Sequence, residues 1–256
     1  MPAPTNEFKK RLKSGKTQFG IWSCLASEMV TELLATTDIG WVCIDGEHSP
    51  NQLTEMRRQL LSIDHSGTDA MVRVPYSEDW MLKQVMDIGA QTILVPMVET
   101  AAQAEQLVRA VHYPPKGIRG VGAFGTRAAK FGSITDYLAT ACDQICLIVQ
   151  VENMVGIENL GAILAVDGID AVFIGPSDLS ADMGCLGTPD IPEVQTIINA
   201  ALEKIVASDK AAGILTFNPE LIQKQVEMGV DFIAVGMDVA LLGNAARTLV
   251  SQVNEF

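Results

Sequence analysis

Asp45-Gly46-Glu47-His48 brings two carboxylates and an imidazole together within four consecutive positions. The group directly follows the apolar run Trp41-Val42-Cys43-Ile44, and Gly46, Pro50 and Asn51 mark a tight loop after it. An imidazole beside acids is the composition of a general acid/base: histidine titrates near neutrality, and Asp45 is close enough in sequence to orient the ring of His48. His48 is one of three histidines, the others being His65 and His112, for which an ordinary surface role is the default.

Further polar residues end other apolar runs. Arg73 closes Met71-Val72-Arg73, a position from which a guanidinium can hold a carboxylate or a developing enolate oxygen. Gln150 and Glu152 end the run from Cys146, and Gly175-Pro176-Ser177-Asp178 ends the run from Ala171. Two carboxylates, Glu152 and Asp178, without clustered Cys or His favour a hard divalent cation such as Mg²⁺ or Mn²⁺. The Gly175–Asp178 turn can present the amides of Ser177 and Asp178 to an anion, Pro176 having no N–H to give. Each residue also has a plain structural reading: Glu152 as the ion-pair partner of Arg73 or another base, and Arg73 as a strut for a neighbouring acid.

These residues need a scaffold that gathers strand ends. Eight short apolar runs alternate with longer helical patterns: Phe19–Trp22, Trp41–Asp45, Ala70–Val74, Thr92–Pro96, Cys146–Glu152, Ala171–Gly175, Gly213–Thr216 and Phe232–Gly236. Continuous apolar runs suit strands buried on both faces of a parallel sheet. Eight such units in 256 residues fit an α/β fold of the (β/α)₈ TIM-barrel type, with a doubly wound open sheet as the alternative. Glycines at 40, 89, 168 and 229 each precede a strand, as if one helix-ending joint were used four times. Thr100-Ala-Ala-Gln103 reads as a capping box opening a helix that stops before Pro114-Pro115, and 239–256 reads as a final helix. The glycine-rich stretch Tyr113–Lys130, with Arg119, Arg127 and Lys130, is expected to be a lid or binding loop. No linker divides the chain, so residues 1–256 are expected to form a single domain.

Composition narrows the function. Hydrophobic residues make up 48% of the chain, enough for a large core, and the net charge is −13. That charge argues against a nucleic-acid or anionic-membrane partner, yet one well-placed Arg still suffices for a small anionic substrate. Five cysteines without a C-x-x-C pattern read as buried, reduced thiols, and no apolar run is long enough to span a membrane. The expected location is cytoplasmic.

The motifs Asp45-Gly-Glu-His-Ser-Pro-Asn51, Leu94-Val-Pro-Met97, Tyr113-Pro-Pro-Lys-Gly-Ile-Arg-Gly-Val-Gly122, Gln150-Val-Glu152 and Phe173-Ile-Gly-Pro-Ser-Asp-Leu-Ser-Ala-Asp-Met-Gly184 together resemble the class II pyruvate aldolases of the HpcH/HpaI type. The resemblance runs from Phe19 to the C-terminal helix. It implies a TIM barrel of the phosphoenolpyruvate/pyruvate type, assembled as a homohexamer (a trimer of dimers) with C-terminal helices exchanged between paired subunits. It also implies a carbon–carbon lyase acting on pyruvate or a related 2-oxo acid, such as hydroxypyruvate, and an aldehyde, with Mg²⁺, Mn²⁺ or Co²⁺ as cofactor. By position, Glu152 and Asp178 match the metal carboxylates, and Ser177 and Asp178 the substrate-carboxylate cradle. Arg73 matches the enolate-stabilising residue, and His48 with Asp45 the acid/base pair. Trp22, Gln150, Leu215 and Val235 match substrate-lining positions. No strand end carries a Lys, which fits a metal route rather than a Schiff base. Decarboxylation of oxaloacetate through the same enolate site is the alternative reaction, and a non-catalytic binding barrel the remaining one.

Overall fold

The computed structural model describes residues 1–12 and 14–254. Eight parallel strands close into one barrel in sequence order: β1 Gln18–Ser23, β2 Trp41–Asp45, β3 Asp69–Arg73, β4 Thr92–Val95, β5 Cys146–Val151, β6 Ala171–Ile174, β7 Ala211–Leu215 and β8 Phe232–Met237. The open-sheet alternative is thereby excluded, since β8 pairs back onto β1. The helices are α1 Glu7–Arg11, α2 Glu28–Ala35, α3 Leu53–Ile63, α4 Asp79–Asp87, α5 Ala101–Val111, α6 Tyr137–Thr140, α7 Met154–Glu158, α8 Leu160–Leu164, α9 Pro176–Asp182, α10 Pro192–Val206, α11 Pro219–Met228 and α12 Asp238–Val253. Residues 255 and 256, the end of the expected final helix, lie outside the described residues. Among the described residues, no helix is long and apolar enough to cross a membrane.

Strand parity divides the core in two. Successive side chains alternate faces, so Trp22, Trp41, Cys43, Met71, Leu94, Ile148, Phe173 and Phe232 fill the barrel interior. Ile44, Val72, Ile93, Leu147, Val172 and Ile214 point outward under the helices. A Cβ added at Gly20 would fall 2.0 Å from the Trp41 ring, and one at Gly213 would fall 2.2 Å from the Phe232 ring. These glycines make room for the aromatic packing. The same parity turns Asp45, Arg73, Gln150 and Glu152 inward at the C-terminal ends of their strands.

The other end of the barrel is plugged by α1. Asn6 caps this helix by accepting from the Lys9 amide, and Phe8 is buried edge-on against Trp41 and Phe232, at centroid distances of 6.1 and 5.4 Å.

Three of the four expected glycine joints hold: Gly89, Gly168 and Gly229 are left-handed. At the first joint Asp38 takes that conformation instead, with φ 57°, and Gly40 is needed for space because its added Cβ would sit 3.0 Å from the Phe19 carbonyl oxygen. The Thr100–Gln103 capping box forms as expected.

The stretch from Tyr113 to Lys130 corrects an expectation. It leaves the C-terminus of α5 and leads to the start of β5, so within one subunit it lies at the end opposite the strand C-termini. Its arginines are struts there. The buried Arg119 lies over the Tyr113 ring at 4.6 Å and donates to Asp87 at 3.0 Å. Arg127 donates to the Ile88 carbonyl at 3.0 Å and pairs with Asp64.

One helix is left unpacked. Of α12, Asp238 is the buried residue, while Leu241, Leu242, Leu249, Val250 and Val253 are all exposed. Exposed apolar side chains also occur on β1 and α2: Phe19, Met29 and Leu33.

Candidate active site

Asp45 and Arg73 face each other in register across β2 and β3. Arg73 Nε donates to Asp45 Oδ1 at 2.7 Å, and Arg73 Nη1 lies 2.8 Å from Glu47 Oε2 in a contact that is electrostatic rather than a well-aligned hydrogen bond. The guanidinium also lies over the Trp22 ring at 5.2 Å. Asp45 further accepts from the Glu47 amide at 3.0 Å and the Ser49 hydroxyl at 3.1 Å. Burial raises the Asp45 carboxyl, but the Arg73 guanidinium, with these donors, outweighs burial and holds it below the usual Asp value. Glu47 goes the other way: burial, helped by the nearby charges of Asp45 and Asp178, pushes it up in spite of Arg73.

The loop after β2 is pinned from behind. Asn51 Nδ2 donates to the Asp45 carbonyl at 2.8 Å, and Gln59 Nε2 on α3 donates to Asn51 Oδ1 at 2.5 Å. Gln59 Oε1 accepts from the Ser23 and Thr31 hydroxyls, both at 3.0 Å. Asp238 ties the β8 end to β1 by accepting from the Cys24 and Leu25 amides at 2.9 and 3.0 Å. Every buried polar atom satisfied in this way adds to the rigidity of the mouth.

His48 stands at the rim, its side chain 65% exposed, with Nε2 3.7 Å from Glu47 Oε2. Its nearest acid is therefore Glu47, whereas the oxygens of Asp45 are taken by Arg73, Glu47 and Ser49. His65 and His112 sit elsewhere; Nδ1 of His112 is 2.7 Å from the Val108 carbonyl.

Across the mouth, Glu152 follows β5 and is 2% exposed. Its Oε1 accepts from the Met97 amide at 2.7 Å, and its Oε2 accepts from Gln150 Nε2. Burial drives the Glu152 carboxyl up to about 7, against those two donors and with help from the charges of Glu47 and Asp178. Gly175 makes this possible: an added Cβ would lie 2.5 Å from Glu152 Oε2 and 3.0 Å from Gln150 Nε2.

Glu152 and Asp178 supply carboxylate oxygens, and Gln150 Oε1 is buried with no hydrogen-bond partner. Oxygen donors of this kind fit a hard divalent cation. Among the described residues no three His, Cys, Asp or Glu side chains converge into a closed cage. Two carboxylates leave coordination positions for water and substrate oxygens, as an open catalytic site requires.

A cavity of about 490 Å³ occupies the mouth, lined by Trp22, Asp45, His48, Arg73, Gln150, Ser177, Asp178 and Leu215 among others. Val235 is not among its lining residues. Alternation along β8 packs Val235 on the outer core, and a register shift against β1 after Ala234 brings Met237 to the cavity. Counting parity from Phe232 would have put Val235 outside; Phe217 and Met237 carried no sequence signal beyond their closeness to a strand end. A cavity of similar size, about 470 Å³, lies at the α1 end, where Arg11 and Arg127 are already paired with Asp69 and Asp64.

A family model described as HpcH/HpaI aldolase/citrate lyase matches residues 18–245. The chain belongs to the HpcH/HpaI aldolase/citrate lyase family. Members similar to it include the hydroxypyruvate/pyruvate aldolase of Agrobacterium fabrum, 51% identical over 97% of this chain and 94% of that one. The 4-hydroxy-2-oxo-heptane-1,7-dioate aldolase of Escherichia coli is 46% identical over 96% and 94%. Among solved structures, an HpcH/HpaI family protein from Burkholderia cenocepacia superposes with a TM-score of 0.93 at 36% identity, covering 98% of this chain and 100% of that one. The barrel is thus the HpcH/HpaI family's own fold.

Proposed function

We propose that this chain is a class II pyruvate aldolase, a carbon–carbon lyase that joins or separates a 2-oxo acid and an aldehyde. The observation that carries the reading is a buried guanidinium, Arg73, fixed by Asp45 and Glu47 at the cavity, with the buried carboxylate Glu152 just behind the lining, bonded to Gln150 and within electrostatic reach of Glu47 and Asp178. Family membership and the named aldolase relatives support the reaction class.

In this reading Glu152 and Asp178 hold a divalent cation, Mg²⁺, Mn²⁺ or Co²⁺. When bound, it supplies Lewis-acid polarisation of the 2-oxo acid. The amides of Ser177 and Asp178, at the start of α9, receive the substrate carboxylate. Arg73 donates toward the oxygen that becomes an enolate, and removing a donor of this kind costs about 3–4 kcal/mol in other enzymes. In cleavage, His48 takes the proton from the 4-hydroxyl, the C3–C4 bond breaks, and its electron pair passes into the enolate while the aldehyde carbonyl forms. Protonation at C3 then gives pyruvate. Condensation runs the same steps backward.

The exposed apolar face of α12, together with Phe19, Met29 and Leu33, supports assembly as a homo-oligomer in which α12 crosses to a second copy. A hexamer built from such pairs is the proposed state. Five free cysteines suit a cytoplasmic location.

The test combines turnover with metal binding. Protein stripped with a chelator should lose aldol cleavage and regain it with Mn²⁺, and Glu152→Gln should weaken Mn²⁺ binding measured by electron paramagnetic resonance. Full turnover of the stripped protein would overturn the assignment. The exposed position of His48 keeps oxaloacetate decarboxylation as a second reading, and a His48→Ala variant with full turnover on the physiological substrate would favour it.

A further inference from the structure

Going around the barrel, the mouth divides into two arcs of opposite chemistry. Strands β2, β3, β5 and β6 supply Asp45, His48, Arg73, Gln150, Ser177 and Asp178. Strands β7, β8 and β1 are consecutive neighbours in the closed sheet and form the other wall. That wall consists of Leu215, Phe217, Met237, Val239, Trp22 and Cys24.

The charged arc carries more carboxylates than cations. Arg73 already faces two carboxylates, Asp45 and Glu47, with Glu152 and Asp178 close enough to interact electrostatically with Glu47. A 2-oxo acid has its carboxylate and keto oxygen at one end, so that end belongs on the polar arc. The substituent carried in by the aldehyde then lies against aliphatic, aromatic and thiol groups. An ionised carboxylate there would find no cationic side chain on the wall and would face the acidic arc across the cavity. A neutral carbon chain would instead bury apolar area against Phe217 and Leu215, at roughly 25 cal/mol per Å².

We infer that the β7–β8–β1 wall selects an uncharged aldehyde with an apolar substituent over one ending in a carboxylate. The inference rests on the aldolase reading above and names the substrate class that this site takes. In condensation, pyruvate C3 loses a proton, bonds to the aldehyde carbon, and the aldehyde oxygen takes up a proton. The wall acts on the part of the aldehyde beyond that carbon.

The experiment compares butanal with succinic semialdehyde, molecules of similar length that differ in charge, each with pyruvate and Mn²⁺. Products are quantified by chromatography, and deuterium exchange into the pyruvate methyl group is followed in parallel. Wild type should favour butanal in kcat/KM by at least tenfold. Phe217→Lys, and separately Val239→Lys, should shift the butanal-to-semialdehyde ratio at least tenfold toward the semialdehyde. Both positions are 40–49% exposed in the single chain, and because Val239 lies on α12 each variant is compared only after light scattering shows the wild-type oligomer. Equal or greater use of succinic semialdehyde by wild type, or an unmoved ratio in both variants, overturns the inference while leaving the aldolase reading intact. No deuterium exchange and no product with either aldehyde would overturn the aldolase reading itself.

Discussion

Asp45 and Arg73 are register partners on adjacent strands, and their side chains meet at 2.7 Å with less than a tenth of either exposed. A residue pair at the C-terminal rim of a barrel thus serves as both a strand–strand tie and the electrostatic floor of the site. Removing Asp45 leaves the buried Arg73 with the poorly aligned Glu47 contact in place of its hydrogen-bonded partner. Asp45→Asn should destabilise the protein by about 3–5 kcal/mol and lower kcat/KM, as read by urea unfolding and by aldol turnover. The sign with pH follows from the depressed Asp45 carboxyl. Its contribution is fully present above the ordinary Asp value of 3.8 and is lost as pH falls through the lower folded value. Wild type and Asp45→Asn should therefore converge in stability below that value. Curves that stay parallel throughout would refute this account.

Glu152 gives the opposite sign. Its folded carboxyl sits at about 7 against an ordinary 4.5, so the folded state holds its proton more tightly than the unfolded chain. The metal-free protein is then relatively most stable below pH 4.5 with respect to this group, and loses roughly 3 kcal/mol as pH rises through about 7. Denaturant melts in chelator, from acid to pH 8.5, should show the loss in wild type and not in Glu152→Gln. If the two proteins have the same pH profile, burial does not control this carboxyl.

Gly175 is a question of space. A methyl group there would meet Glu152 Oε2 and Cβ at 2.5 and 2.7 Å, distances real Cβ atoms do not occupy, and would crowd the Gln150 amide at 3.0 Å. Gly175→Ala should displace Glu152 and cost on the order of 100-fold in kcat/KM, the scale set by ångström-level misplacement. Mn²⁺ affinity should fall with it. Wild-type metal binding and turnover would show that the strand end yields without harm.

Phe8 plugs the far end of the barrel and touches nothing at the mouth. Phe8→Ala should cost about 3–5 kcal/mol of stability, measured by chemical denaturation. Turnover per folded molecule, below the unfolding transition, should stay at the wild-type level.

The unpacked α12 predicts an assembly defect. Leu242 and Leu249 are 62% and 60% exposed in the single chain. A Leu242→Glu, Leu249→Glu double variant should run as a smaller species by light scattering, or precipitate. An unchanged oligomer would remove this helix from the interface.

The sequence by itself determined the eight strands and the polar residues at their ends, and the pairing of β8 with β1 decided that they close into a barrel. Uninterrupted apolar runs are legible because a strand buried on both faces has no polar alternation to blur. Asp45, Arg73, Gln150 and Glu152 stood out because a charged or amide side chain at the end of such a run needs a polar destination. The Asp45-Gly-Glu-His48 cluster was equally visible, but its pairing was not. Sequence proximity joined Asp45 to His48, whereas the register of β2 against β3 gave Asp45 to Arg73 and left Glu47 beside His48. Tertiary structure also decided the placement of the Tyr113–Lys130 loop at the opposite end of the barrel, and of Met237 at the cavity. Both depend on where a segment enters the closed sheet and on a single register shift. Those are long-range facts, set by hydrogen bonds between strands distant in sequence, and no local pattern of residue types encodes them.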